Sequence, residues 1–178
     1  MLRIILLTLL FAAPVFAQDS AQDALEAAGC GANDVHFSVK TDKKQHPTGQ
    51  PEAGKALVYV IGDTWADHVA LHVGTPPNRF GVDGTWVGAN GYHGYFFFPV
   101  DPGDHRLCTN MQSKLQRQVK STTTALSFTA EAGQSYYFRT VTPVAGPSGG
   151  PTEIVEVDPA EAQVLIAQAS YSNFKVNK

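Results

Sequence analysis

The hydrophobic and polar positions along the chain repeat with periods that are typical of short strands. Residues 35–39 and 125–130 alternate apolar and polar side chains, which predicts strands with one buried face. Residues 55–61 are almost continuously apolar, which predicts a central strand that is buried on both faces. Together with similar runs at 95–100 and 135–141, these segments lead us to expect about seven or eight short strands.

Turn residues separate these runs at intervals of roughly ten residues. Asp83-Gly84 lies between two β-like runs and predicts a type I′ hairpin, because both central positions of that turn need positive φ. Pro102-Gly103 predicts a tight turn of type II. The stretches 40–54, 62–78 and 114–122 are expected to be loops. This spacing predicts a mainly β fold, either an antiparallel β-sandwich or a partly open barrel.

Two short helices are expected, one near each end of the chain. Residues 19–28 are rich in alanine, with Ser20 as a cap and Gly29 as a stop. Near the C-terminus, Asp158-Pro159 places a capping carboxylate before a proline at the first helical position. Residues 170–176 are expected to form a last strand or a docked tail.

The N-terminus has the order of features that marks a secretory signal peptide. Arg3 precedes an apolar run, and Val15 and Ala17 fit the small-residue positions before a cut at Gln18. We therefore divide the chain into a signal peptide at residues 1–17, a helix, strand and polar linker at residues 18–54, and a β-sandwich domain with the C-terminal helix at residues 55–178. The expected location is the periplasm or the medium, and an uncleaved anchor is the alternative.

The charge of the chain narrows the classes of partner. The formal net charge is −3, and it becomes −4 when Arg3 leaves with the signal peptide. A mildly acidic protein without a basic cluster is a poor binder of nucleic-acid phosphates or of an anionic membrane surface. No second apolar run follows the signal, so no transmembrane segment is expected in the mature chain.

The two cysteines, Cys30 and Cys108, predict one disulfide in an oxidising compartment. The chain-entropy treatment gives such a bridge roughly 4 to 5 kcal/mol of stabilisation for a loop of about 78 residues. Free thiols or an intermolecular bridge are the alternatives. Small residues before Cys30 also leave lipoprotein processing open, although the acidic residues ahead of it disfavour that hypothesis.

Several short motifs in the stretch 55–139 carry a resemblance to a known family. They are GKALVYV at 54–60, VDG at 82–84 with VG at 87–88, GYF at 94–96, VDPGDH at 100–105, FTAEAGQ at 128–134 and YYFR at 136–139. In this order the motifs resemble the DUF2846 family of uncharacterised exported bacterial proteins, and their rhythm is similar to PEGA-type β domains. The resemblance implies a small envelope β-sandwich, and it implies no activity and no functional residues.

Two clusters of polar residues are candidate sites. His68 and His72 have a spacing that zinc sites use on a helix, which leaves a metal-binding module open, with His36, His46 or His93 as a third ligand. Asp101, Asp104 and His105 crowd one turn. Turn stabilisation is the simpler reading of that cluster, because no Gly-x-Ser-x-Gly elbow accompanies it. A hydrolase with a site that no motif reveals stays an alternative, and no cofactor is expected.

One segment is rich in aromatic residues and is the candidate partner-binding surface. Its members are Trp86, Tyr92, Tyr95, Phe96 and Phe98. Aromatic side chains on a sheet bind sugars or partner strands, and they also form cores. From the sequence we expect a non-enzymatic exported β-sandwich that binds another envelope protein or a surface polymer.

Overall fold

The structure is a computed structural model, and it describes residues 20–62, 76–91, 93–141 and 152–177. The described elements, in chain order, are α1 (Ala21–Ala27), β1 (His36–Asp42), β2 (Ala56–Gly62), β3 (Asn78–Val82), β4 (Thr85–Asn90), β5 (Gly94–Val100), β6 (Gly103–Met111), α2 (Gln116–Thr122), β7 (Thr124–Ala130), β8 (Ser135–Val141), β9 (Glu153–Glu156), α3 (Pro159–Gln168) and β10 (Ser170–Asn177). The mainly β fold is confirmed, and its two sheets do not close into a barrel. The predicted signal peptide and its cleavage site lie outside the described residues.

The strands form a six-stranded sheet, ordered β1-β10-β5-β2-β8-β9, and a four-stranded sheet, ordered β4-β3-β6-β7. The ten described strands exceed the expected seven or eight. The larger sheet is also mixed, not purely antiparallel, because β2 pairs parallel to β8 and β10 pairs parallel to β5. All four strands of the second sheet lie between β2 and β8 in the chain. Such a long crossover allows β2 and β8 to run in the same direction.

The strand β2 lies between β5 and β8, and all seven of its residues are buried. Val58 and Val60 face the four-stranded sheet, where they join Phe80 and Leu107 in the core between the sheets. On the opposite face, Tyr59 and its neighbours pack against Ala162 and Ile166 of α3. The continuous apolar run in the sequence thus reflects burial on both faces, as predicted.

The helices at the two ends have the caps that the sequence predicts. Ser20 and Asp23 form a capping box at α1, and the Asp158 carboxylate accepts hydrogen bonds from the first turn of α3. The expected loop at 114–122 is wrong over most of its length, since α2 covers residues 116–122. Its N-cap, Leu115, makes no capping bond, and the contact that stabilises this helix is the burial of Val119 against α1 and the disulfide.

The two predicted turns have different outcomes. Asp83 and Gly84 have φ values of 50° and 85°, which confirms the hairpin between β3 and β4. Gly103 has the expected positive φ, at 133°, but it is already the first residue of β6. Because β5 and β6 belong to different sheets, Asp101 and Pro102 form a corner that carries the chain from one sheet to the other.

The described residues before position 55, from 20 to 54, belong to the same assembly of sheets. β1 pairs with β10 along seven residue pairs and forms an edge of the larger sheet. Cys30 and Cys108 form the predicted disulfide, with Cα atoms 5.7 Å apart. The bridge is consistent with export to an oxidising compartment. None of the helices that the structure describes is long and apolar enough to cross a membrane.

The segment between α1 and β1, residues 28–35, is fastened to the β3–β4 hairpin mainly by side chains that donate to its carbonyls. Arg79 Nη1 donates to Val35 O at 2.7 Å and to Asn33 O at 3.2 Å. Trp86 Nε1 donates to Ala32 O at 2.8 Å, and its ring lies 4.5 Å from the Arg79 guanidinium carbon. Arg79 is fully buried, and this burial lowers its pKa to about 10.

Candidate functional site

The aromatic segment that the sequence suggests as a binding surface lies mostly in the core. Tyr95, Phe96 and Phe98 are 0%, 1% and 8% exposed. Trp86 is half-buried against residues 28–35, and Tyr92 lies outside the described residues. These rings are buried because of the position of β5 in the fold. β5 is an interior strand with the second sheet on one face and further chain on the other, so its rings have no free surface to offer.

The outer face of β5 and β2 is covered by the polar stretch after β1. Tyr95 donates its hydroxyl to Pro47 O at 2.9 Å, and the Tyr59 hydroxyl accepts from Gly49 N at 2.7 Å. Burial raises the pKa of both phenols, that of Tyr95 to about 12. The stretch that reads as a simple loop therefore seals an aromatic face and satisfies its hydroxyl groups.

Only part of the predicted histidine site lies within the described residues. His68 and His72 lie outside the described residues, so the pair itself stays a prediction. His46 Nδ1 lies 3.1 Å from Ile166 O, which indicates a packing role between the polar stretch and α3. Within the ranges that the structure describes, no three His, Cys, Asp or Glu side chains are grouped closely enough to hold a metal ion.

His105 forms a clamp at the corner between the two sheets. Its Nδ1 lies 2.6 Å from Asp83 Oδ2, and its Nε2 lies 2.7 Å from Asp101 O. Burial alone lowers the pKa of His105, but the hydrogen bonds to Asp83 and Asp101 and the charges of their carboxylates outweigh it and raise the pKa. With both ring nitrogens bonded to acceptors, the imidazole has no nitrogen left to accept a proton from a substrate.

The acidic members of this cluster are occupied as well. Asp101 pairs with Lys55 at 2.6 Å, and Asp104 accepts a hydrogen bond from the Thr129 hydroxyl at 2.6 Å. Asp83 accepts the main-chain N–H of Arg106 at 2.8 Å. These contacts join the hairpin tip, the corner and β7, which supports the turn-stabilising interpretation of the cluster.

A cleft of about 550 Å³ lies where β9 ends and α3 begins. Two adjacent tyrosines and three carboxylates line most of it: Tyr136, Tyr137, Glu131, Glu156 and Asp158. Among the described residues that line the cleft, none is basic. The lining therefore combines aromatic side chains with negative charge.

The cleft exists because β9 is shorter than its neighbour. The ladder between them ends at the pair Phe138–Glu156, with one further bond from Val157 N to Tyr137 O at 2.9 Å. At Asp158 the chain turns into α3, so the first residues of β8 extend beyond the last residue of β9. A salt bridge of 3.0 Å between Arg139 and Glu161 holds α3 against β8 and so fixes the far wall.

The two tyrosines of the cleft are held by different parts of the core. Tyr137 stacks on Tyr59 with ring centroids 4.9 Å apart, on the face that α3 covers. Tyr136 packs against Phe128 on the face between the sheets, and its hydroxyl accepts the Glu131 N–H at 2.9 Å. Both rings thus have fixed positions in the lining of the cleft.

Sequence reasoning missed this cleft. It placed a strand at 135–141 and a helix cap at Asp158, but nothing local relates the two positions, which are more than twenty residues apart. A second cleft of about 450 Å³ lies beside Asn33, His36 and Lys114, and its lining mixes both signs of charge. The first cleft is the better candidate, because its charge has a single sign.

The comparisons with known proteins identify no relative of this chain. No protein-family model matches it, and the comparisons with curated proteins and with solved structures also return no match. The resemblance to the DUF2846 family therefore stays a prediction.

Proposed function

We propose that the protein is an exported, non-catalytic β-sandwich module that binds a positively charged partner in the cleft between β8 and α3. One observation carries the proposal: three carboxylates and two tyrosines line this cleft without any basic side chain among the described residues. A cationic group placed there interacts favourably with several charges at once, and the tyrosine rings add contact area.

The electrostatic setting supports a cationic partner. Glu131, Glu156 and Asp158 are exposed, and the chain as a whole has an acidic balance. Fields of one sign focused in a cleft raise the local concentration and the association rate of ligands of the opposite sign. Because the carboxylates are exposed, this attraction decreases with salt over a Debye length of about 8 Å at physiological ionic strength.

The occupied clamp at His105 supports a binding role over a hydrolytic one. His105 has carboxylate neighbours, as a hydrolytic base often does, yet both of its nitrogens are bonded within the fold. The cleft between β8 and α3 contains Ser135 but no histidine in its described lining. Its residue types favour recognition of charge and shape.

The predicted signal peptide and the disulfide support a place outside the cytoplasm, where the partner is another envelope protein or a cationic surface polymer. The test is calorimetric titration of the mature protein with spermine and with tetralysine at low and physiological salt. We expect both probes to bind, and the double variant Glu131→Gln/Glu156→Gln to weaken binding roughly five-fold or more.

A matched control removes the same charge elsewhere. The double variant Glu26→Gln/Asp34→Asn changes two exposed carboxylates on α1 and on the segment between α1 and β1, and it should leave the affinity unchanged. Equal weakening by both double variants would show that only the net charge matters, and an absence of binding by either probe would refute the cleft as a cation site.

A further inference from the structure

We infer that the cationic partner is an extended segment of a protein chain. It binds as a short added strand beside Ser135, at the position that β9 would occupy if it were longer. This inference rests on the proposed function and names the partner class. The cleft is a gap in the edge of a sheet. Its carboxylates lie beside main-chain groups to which a further strand could form hydrogen bonds.

The hydrogen-bonding pattern of β8 defines what the gap offers. Val157 N donates to Tyr137 O, so Tyr137 directs its main-chain groups toward β9. On the other side, Leu57 N donates to Gln134 O, so Gln134 directs its carbonyl toward β2. Because these directions alternate along a strand, the N–H and C=O of Ser135 point toward the line of β9, beyond the last β9 residue that pairs with β8.

The walls of the gap suit a strand whose side chains alternate. Tyr136 belongs to the core between the sheets, whereas Tyr137 belongs to the face under α3. Glu156 pairs with Phe138, which places its side chain on the Tyr136 face, and Asp158 follows at the start of α3. Successive side chains of an added strand would meet one face and then the other, as in any sheet.

Charge complementarity selects the sequence of this strand. Open sheet edges attract unrelated strands, and charged residues at the edge reduce such pairing. Here the charges at the gap are all carboxylates among the described lining, and β9 itself carries Glu153 and Glu156. An acidic strand is disfavoured, while a strand with lysine or arginine places its cations next to Glu131 and Glu156.

The experiment uses the mature protein and a capped peptide, acetyl-Thr-Lys-Val-Lys-Thr-amide, in calorimetric titrations. Two further peptides carry a single N-methyl group, on the valine or on the lysine after it. If the peptide adds a strand, one of the two adjacent N–H groups bonds to Ser135 O and the other faces away. We expect one methylated peptide to bind about ten-fold more weakly and the other to bind like the parent.

The protein side of the bond is tested with Ser135→Pro, which removes the N–H that faces the gap at the first residue of a strand, where proline is tolerated. We expect this variant to bind the peptide several-fold more weakly, with a larger loss for the peptide than for spermine. Circular dichroism checks its fold. If it does not fold, amide exchange in the wild type gives the same information, because the peptide should protect the Ser135 N–H.

The outcomes separate the two proposals. If spermine and all three peptides bind and neither methyl group matters, the cation site stands and the added strand is wrong. If neither spermine nor any peptide binds, the proposed function fails together with the inference. Weakening by one methyl group alone, with protection of the Ser135 amide, would support both.

Discussion

His105 Nδ1 lies 2.6 Å from Asp83 Oδ2, and this contact joins the tip of the β3–β4 hairpin to the corner where the chain changes sheets. The second ring nitrogen donates to Asp101 O. A carbonyl oxygen cannot donate and an ionised carboxylate cannot donate, so both bonds are made together only by the protonated imidazole. The clamp is therefore a pH-dependent connection between two elements of the sandwich.

We expect the clamp to stabilise the fold most at mildly acidic pH. The pKa of His105 is raised above its ordinary value of 6.5, so its contribution is fully present below pH 6.5 and disappears as the pH rises through the raised value. The pKa of Asp83 is lowered, so its contribution is present above its ordinary value of 3.8 and disappears as the pH falls through the lowered value. The clamp is thus complete between about pH 4 and 6.5.

Urea unfolding of the wild type and of His105→Gln at pH 6 and pH 8.5 measures this effect. The difference in unfolding free energy between the two proteins should be larger at pH 6, with the wild type the more stable. The variant His36→Gln, which removes an imidazole outside the clamp, serves as the control. Parallel pH profiles for the wild type and His105→Gln would contradict the clamp.

Removing the disulfide should destabilise the protein strongly. The bridge closes a separation of 78 residues, for which chain entropy gives about 4.5 kcal/mol, and both sulfur-bearing residues are buried. We expect the double variant Cys30→Ala/Cys108→Ala to lose roughly 3 to 5 kcal/mol of unfolding free energy, measured by urea titration. A non-reducing peptide map should link the two cysteine peptides in the wild type, and two free thiols there would be the contrary result.

Replacing Arg79 should loosen the segment between α1 and β1. Its guanidinium donates to Asn33 O, Val35 O and the Asn110 side chain, and Arg79→Ala would leave one buried and two half-buried acceptors without their donor. We expect a loss of roughly 2 to 4 kcal/mol in unfolding free energy. Arg79→Lys should recover only part of it, since an ammonium group cannot reach three acceptors as a planar guanidinium does. Full recovery by lysine would show that charge alone matters.

The close approach of Gly31 to Trp86 gives a further test. A Cβ added at Gly31 would overlap Trp86 Cδ1, which forces the indole or the backbone to move. We expect Gly31→Ala to cost about 1 to 3 kcal/mol of unfolding free energy, by the usual cost of overpacking. In a Trp86→Leu background the same substitution should cost less, because the ring that it meets is gone. An equal cost in both backgrounds would place the strain elsewhere.

Local chemistry was enough to predict several elements. The capping residues Ser20 and Asp158 act within one helical turn, and Asp83-Gly84 sets a turn through its own backbone preferences. The run at 55–61 predicts burial on both faces because its apolar residues are almost continuous. Such features depend on neighbours in sequence, so the sequence alone reveals them.

Other features depend on contacts between distant segments. The stretch at 114–122 has no capping signal, and its helix is stabilised by Val119 packing on α1 and the disulfide. Tyr95 and Phe96 could have been surface or core, and only the position of β5 between two covered faces decided for the core. The sequence shows aromatic character, but the arrangement of sheets determines which side of a strand meets solvent.

The sequence by itself determined the β-rich class, the helix caps, the hairpin and the cysteine pair, because each follows from short-range chemistry or from a count. Only the tertiary structure decided where an exposed site lies. The cleft depends on two features of the fold. β9 ends before it reaches Ser135, and α3 brings Asp158 beside Tyr137. Sheet register and strand length depend on the pairing of strands that are distant in sequence, so no single stretch of sequence encodes them.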